Sequence, residues 1–132
     1  METITIGKLA EQAGVNIETI RYYERRGLMP RPERRASGYR QYNPDSAKRI
    51  RFIKHAQELG FSLKEIDELL SLKLDDRTPC SQVRKHAEEK IADIEIKIKT
   101  LQSMKKALTK LTKACIGNGP VSECPILEAL EK

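Results

Sequence analysis

The chain has 132 residues, no tryptophan, 5% aromatic residues and 33% charged residues, a size that fits one small domain plus an extension and leaves no room for a large enzyme core. With so little apolar bulk, burial against a second copy is the default expectation. The net charge of +6 sits mostly at one end, with 12 Lys/Arg against 7 Asp/Glu in residues 1–60 and 13 against 12 in residues 61–132, which suits phosphate neutralisation on a nucleic acid as well as it suits a solvated basic surface.

In chain order, Ile6, Leu9, Ala10 and Ala13 recur at helical spacing, Gly14 interrupts, and Asn16 stands where it can cap a second helix from Ile17 to Arg26. This is the pattern of a helix-turn-helix, whose second helix can lie in the DNA major groove. Glu18, Arg21, Tyr22 and Arg25 are its polar candidates, while Val15 and Ile20 are expected to face the core. An ordinary helical hairpin would read the same way. Gly27 and two prolines, Pro30 and Pro32, then stop the helix, and Ser37-Gly38 suggests a hairpin-like wing. Arg34, Arg35, Tyr39 and Arg40 would project from that wing as phosphate donors, the alternative being a solvated loop with Tyr39 packed inward.

Asn43-Pro44 predicts a third helix with Asn as cap and Pro at its first position, running through Ile50, Phe52, Ile53, Ala56 and Leu59 to Gly60. Ser62 and Glu65 have capping-box spacing ahead of a fourth helix with Leu63, Ile66, Leu69 and Leu70 on its apolar face, ending near Leu72. Lys48, Arg49, Arg51 and Lys54 read as a basic outer face or as further DNA-backbone contacts. After the break at Asp75–Pro79, the run from Ser81 to Lys113 holds neither Pro nor Gly and predicts one long helix. Cys80, Ala87, Ile94, Leu101, Leu108 and Cys115 share one heptad column, which Val83, Ile91, Ile98, Met104 and Leu111 widen into a stripe. Such a helix calls for a partner helix, most simply from a second copy.

No segment approaches the ~20 apolar residues of a membrane span and the N-terminus lacks a signal core, so a cytoplasmic protein without a membrane partner is expected. Three cysteines in a reducing compartment argue against a disulfide framework and leave thiols free for metal or redox work. Cys80 and Cys115 are 35 residues apart, roughly 50 Å along a helix at ~1.5 Å per residue, and cannot meet within one chain. Two such helices packed antiparallel would bring Cys80 of one beside Cys115 of the other, at both ends. Gly117-Asn118-Gly119-Pro120 lets the chain turn so that Cys124 can return toward Cys115, and Cys124 precedes Pro125 at the start of a short helix, where the helix dipole favours negative charge. Three sulfurs without a fourth donor suit Hg(II) first, then Pb(II) or Cd(II), rather than tetrahedral Zn(II). His55 and His86 read as surface residues.

Ile6-Gly7-Lys8-Leu9-Ala10, Thr19-Ile20-Arg21-Tyr22-Tyr23-Glu24, Gly38-Tyr39-Arg40-Gln41-Tyr42 and Glu58-Leu59-Gly60-Phe61-Ser62-Leu63 resemble the MerR family of bacterial transcription regulators, across essentially the whole chain. Cys80, Cys115 and Cys124-Pro125-Ile126-Leu127 look like its mercury-sensing members. The resemblance implies an all-α fold with a small β-wing. It divides the chain into a winged helix-turn-helix DNA-binding domain over residues 1–74, a long antiparallel coiled-coil dimerisation helix over 75–114, and a metal-binding loop and short helix over 115–132. It further implies Cys80, Cys115 and Cys124 as Hg(II) ligands shared across a homodimer. Arg21, Tyr22, Tyr39 and Arg40 would contact double-stranded operator DNA, and RNA polymerase would be the partner at the promoter. Metal-free, the dimer would hold the promoter silent; metal-bound, it would bend and untwist the DNA. Sensors of Pb, Cd or Zn in the same family and a metal-independent thiol-redox sensor are the alternatives. An enzyme is not expected, since no Cys-x-x-Cys pair, phosphate-cradling Gly loop or nucleophile–histidine arrangement is present.

Overall fold

Residues 3–31 and 41–132 are described by the computed structural model; the wing candidates Arg34, Arg35, Tyr39 and Arg40 lie outside them. The described residues form α1 (Ile6–Ala13), α2 (Ile17–Arg25), α3 (Ser46–Glu58), α4 (Leu63–Lys73), α5 (Cys80–Ala114) and α6 (Pro125–Glu131), with a 3-10 turn at Val121–Glu123. Among them the strand-like pairing is an isolated antiparallel bridge between Ile4 and Tyr42. The chain divides into two compact units, Met1–His86 and Ala87–Lys132.

Local chemistry sets the boundaries in the first unit. The Thr5 hydroxyl accepts the Lys8 N–H at 3.2 Å to open α1, and Gly14 closes it in the left-handed region at φ 71°, a conformation that costs a residue with a Cβ. Asn16 caps α2, its Oδ1 accepting from both the N–H and the hydroxyl of Thr19 at 2.8 Å. The expected capping box of α4 is complete: Ser62 N–H donates to Glu65 Oε1 at 2.8 Å and Glu65 N–H to Ser62 Oγ at 3.1 Å. α1 packs on α2 and on α3, and α3 on α4. The core between them holds Leu9, Ile20, Leu28, Ile50, Ile53 and Ile66, all fully buried.

Two boundaries differ from the sequence reading. Asn43 is not the cap of α3: its Oδ1 accepts the Asp45 N–H at 2.9 Å and its carbonyl accepts from Ser46, so residues 43–45 form a side-chain-closed turn and the helix starts at Ser46. Leu59 does not continue the apolar face but stands 66% exposed. The helix ends there, Gly60 turns the chain at φ 93°, and the Phe61 N–H bonds back to the Ala56 carbonyl, so Phe61 packs against the core instead.

α5 has the opposite character. Its 35 residues form one helix as expected, but Val83, Ile91, Ile94, Ile98, Leu101, Met104 and Leu108 are all exposed, and the one buried residue described on it is Lys90. A helix of this length owes its stability to packing of its apolar face rather than to propensity.

Ser62→Ala removes one half of the capping box and is expected to cost about 1 kcal/mol, lowering the urea midpoint of the helical signal, whereas Ser62→Gly should cost only a few tenths. Equal midpoints for wild type and Ser62→Ala would show that α4 is held by its core contacts alone.

Candidate nucleic-acid interface and metal centre

At about 100° per residue, α2 sorts its side chains into two faces. Ile20, Tyr23 and Glu24 are buried, whereas Arg21, Tyr22 and Arg25 are exposed. Arg21 pairs with Glu18 at 3.2 Å with both side chains more than half exposed, an ion pair worth little and easily exchanged for a phosphate. The Arg25 guanidinium lies 6.0 Å from the centre of the Tyr22 ring. Beneath them, the Tyr23 hydroxyl donates to Gln57 Oε1 at 2.7 Å; burial, then the charge of Glu58 and the neighbouring Tyr22, push that hydroxyl above its ordinary value. An open cleft runs along this face, lined by Asn16, Thr19, Tyr22, Arg25, Lys54 and Gln57 among others.

The cations of α3 divide by role in a way the sequence did not reveal. Arg49 Nε donates to the Leu28 carbonyl at 2.8 Å, Arg51 to Gln12 O at 3.2 Å and Lys54 Nζ to Gly14 O at 3.1 Å. Two of them thus satisfy carbonyls at the open end of α1, where helices leave four acceptors without partners and favour positive charge. Lys48 is exposed. The signal that could have found these pairs is the absence of any basic residue in the last turn of α1 itself.

All three cysteines are free thiols. Cys80 is exposed at the first residue of α5. Cys115, half-buried, follows the last residue of that helix, and its sulfur accepts the Gly117 N–H at 3.4 Å; Gly117 turns at φ 82°. Cys124, also half-buried, is the residue before α6, with Pro125 in the first turn as expected. Among the described residues of this single chain, no three His, Cys, Asp or Glu side chains come together as a metal site. His55 is exposed, while His86 is half-buried with Nδ1 4.0 Å from Glu68 Oε2 on α4, not a plain surface residue. The three thiols, one of them already accepting a backbone N–H, are soft donors of a kind that fits a thiophilic ion and offers little to a hard one.

The described helices also include none long and apolar enough to cross a membrane. A family model for "MerR HTH family regulatory protein" matches residues 4–73, and one for "MerR, DNA binding" matches residues 47–111. The mercuric resistance operon regulatory protein of Bacillus cereus is 47% identical over 127 residues, covering 96% of each chain. Among solved structures, MerR from Bacillus megaterium MB1 in complex with mercury(II) is 43% identical with a TM-score of 0.73, covering 98% of this chain and 100% of that one. PbrR691 from Ralstonia metallidurans CH34 in complex with lead(II) is 31% identical with a TM-score of 0.86, covering 96% and 98%. By its helix-turn-helix, its long helix and these matches, the chain belongs to the MerR family and is a metal-responsive transcription regulator, not an enzyme.

Proposed function

We propose that the chain is a Hg(II)-responsive regulator. It binds a palindromic operator in the cytoplasm as a homodimer, keeps the promoter silent without metal, and activates mercury-resistance genes by distorting promoter DNA for RNA polymerase once Hg(II) is bound. The observation that carries the reading is the joint placement of thiols and apolar surface on α5: Cys80 opens the helix, Cys115 follows its end, and the stripe between them is exposed. Fully burying one Val, Leu, Ile or Met side chain stabilises by about 1.5–3 kcal/mol, and two copies of this stripe hold enough of them to exceed an association cost of roughly 4–15 kcal/mol.

In the antiparallel arrangement, Cys80 of one protomer joins Cys115 and Cys124 of the other, so a metal bound there has a grip on both chains. Residues 1–74 serve as the DNA-binding domain, 75–114 as the dimerisation helix and 115–132 as the metal-binding end. Arg21 and Tyr22 reach the major groove, and Tyr39 and Arg40 the phosphate backbone. Moving such a switch from 1:99 to 99:1 requires about 5.5 kcal/mol of preference for the activating state, within reach of a site shared across a dimer seam.

The likeness to the lead(II)-bound PbrR691 keeps Pb(II), and with it Cd(II), as the second reading. Zn(II) fits less well because residues 116–123 contain neither Cys nor His to complete a tetrahedron. A metal-independent redox sensor would respond to oxidants alone.

Titration of the reduced dimer with Hg(II), followed by thiolate charge-transfer absorbance, is expected to show binding that withstands excess competing thiol and is lost or sharply weakened in Cys80→Ser, Cys115→Ser and Cys124→Ser. Mixed dimers of Cys80→Ser with the double variant Cys115→Ser/Cys124→Ser should recover one site. Recovery of none, or binding that survives loss of Cys80, would sink the shared site; stronger retention of Pb(II) or Cd(II) than of Hg(II) would move the assignment to those ions, and promoter activation by diamide without metal would favour the redox sensor.

Arg21→Ala is expected to weaken binding to a duplex selected by the wild-type protein from a random pool by about 1–3 kcal/mol, with Hg(II) uptake unchanged. Undiminished affinity would remove α2 as the recognition helix.

A further inference from the structure

The acidic residues of α5 are Glu88, Glu89, Asp93 and Glu95, all in its first half, whereas residues 98–114 carry Lys99, Lys105, Lys106, Lys110 and Lys113 and no acid. Part of this division falls beside the apolar stripe. Glu88, Glu95, Lys99, Lys106 and Lys113 are spaced by seven, four, seven and seven residues, which at about 100° per residue keeps them within roughly 40° of one another, in one row along the helix. Glu88 and Glu95 stand three residues before Ile91 and Ile98 of the stripe, so the row is its flank. All five of these residues are exposed. From the N-terminal end the row reads acid, acid, base, base, base. On the other flank, Lys90 and Asp93 pair within their own helix at 4.0 Å and show no such order.

In a two-fold dimer of antiparallel helices, each flank of the seam meets the same flank of the other chain, running in reverse; in a parallel pair the two copies of one flank lie on opposite sides of the seam. A row with its acids first and its bases second is complementary to its own reverse. With Cys80 of one chain level with Cys115 of the other, Glu88 is level with residue 107 of the partner and Glu95 with residue 100, each one residue from a lysine of the row. Bonds that these side chains make within their own helix leave their charge in place, and the charge is what a second chain meets.

We propose that this row is a self-complementary charge strip that orients the second copy on α5, with Glu88 and Glu95 facing the partner's Lys106 and Lys99, and the same pairs repeated by symmetry. This deepens the proposed dimer and rests on it. The apolar stripe supplies association, which is non-directional, and the strip selects the direction in which Cys80 reaches Cys115 of the other chain. One exposed ion pair is weak, but a wrong pairing turns four attractions into four repulsions at once, and like charges set face to face suppress wrong partners.

The test mixes reduced, metal-free, full-length wild type with the reversed variant Glu88→Lys/Glu95→Lys/Lys99→Glu/Lys106→Glu, which keeps the net charge. The two chains carry different affinity tags, exchange subunits, and are counted as mixed dimers by purification on both tags in turn. At about 50 mM salt mixed dimers are expected to fall below about one in ten, against one in two for random assortment, and to rise toward one in two at about 500 mM as screening shortens. Random assortment at both salt concentrations overturns the strip. A second pair keeps the test decisive if the reversed variant loses its helical circular dichroism. Lys99→Glu/Lys106→Glu and Glu88→Lys/Glu95→Lys should each repel themselves and attract each other, giving about nine mixed dimers in ten at low salt; random assortment here overturns the strip equally. Sedimentation of wild type alone separates the two readings. Dimeric wild type that assorts at random loses the strip and keeps the dimer, the mixed-dimer Hg(II) titration then telling an antiparallel pair from a parallel one; wild type that is monomeric throughout loses both.

Discussion

A 35-residue helix with a continuous exposed apolar column gains most of its stability from whatever packs on that column. Residues such as Ile94 and Leu101 lie open on the single chain, and the same column begins and ends in thiols. In the proposed antiparallel dimer, covering the column and gathering the thiols go together, because the pairing that buries Leu101 also fixes how far Cys80 of one chain stands from Cys115 of the other. In the proposed dimer, hydrophobic burial supplies the association energy and leaves the metal to decide only between arrangements of an assembly that already exists. That division matters because a ligand shifts an equilibrium only by the difference in its affinity for the two states.

The first unit is tied together from within. Its helix ends are closed by Thr5, Asn16 and the Ser62–Glu65 box, and carbonyls at the end of α1 are closed by cations reaching from α3. Close-packed interiors such as the Leu9, Ile20, Ile50 and Ile66 cluster resist continuous deformation. A unit of this kind passes on a displacement as rotation or translation rather than absorbing it, as the proposed distortion of promoter DNA requires.

The parts of this architecture that were legible in the sequence are those fixed by neighbours within a few positions. Gly14, Asn16 and Ser62/Glu65 announce their turns and caps because the hydrogen bonds they make span only a few residues, and the long helix is visible because no Pro or Gly interrupts it. The shared column of Cys80 and Cys115 and the proline after Cys124 are legible as pattern, whereas the described residues of the single chain bring no three such donors together, and their meeting across two chains stays with the proposal. What escaped is long-range. Arg49, Arg51 and Lys54 look like a phosphate-binding face until the carbonyls of Leu28, Gln12 and Gly14, some 20 to 40 positions away, are found against them. Asn43 stays ambiguous in the sequence because an Asn-Pro pair can cap a helix or close a turn before one, and only the acceptor of the Asp45 N–H distinguishes them. Glu24 is legible only as a motif letter, since nothing local says that a glutamate on the helix that carries Arg21 and Tyr22 points inward.

Selectivity in the proposed site follows from what the loop between Cys115 and Cys124 withholds. A fourth sulfur or an imidazole in residues 116–123 would complete a tetrahedron and invite Zn(II), the more available ion. Instead the segment is rich in glycine, and Gly117 turns its N–H onto the sulfur of Cys115 at 3.4 Å. A backbone donor of that kind occupies the sulfur without adding a metal ligand. The loop thus holds the number of sulfur donors at three, and that count penalises any ion whose stability depends on a fourth bond more than one satisfied by soft sulfur alone.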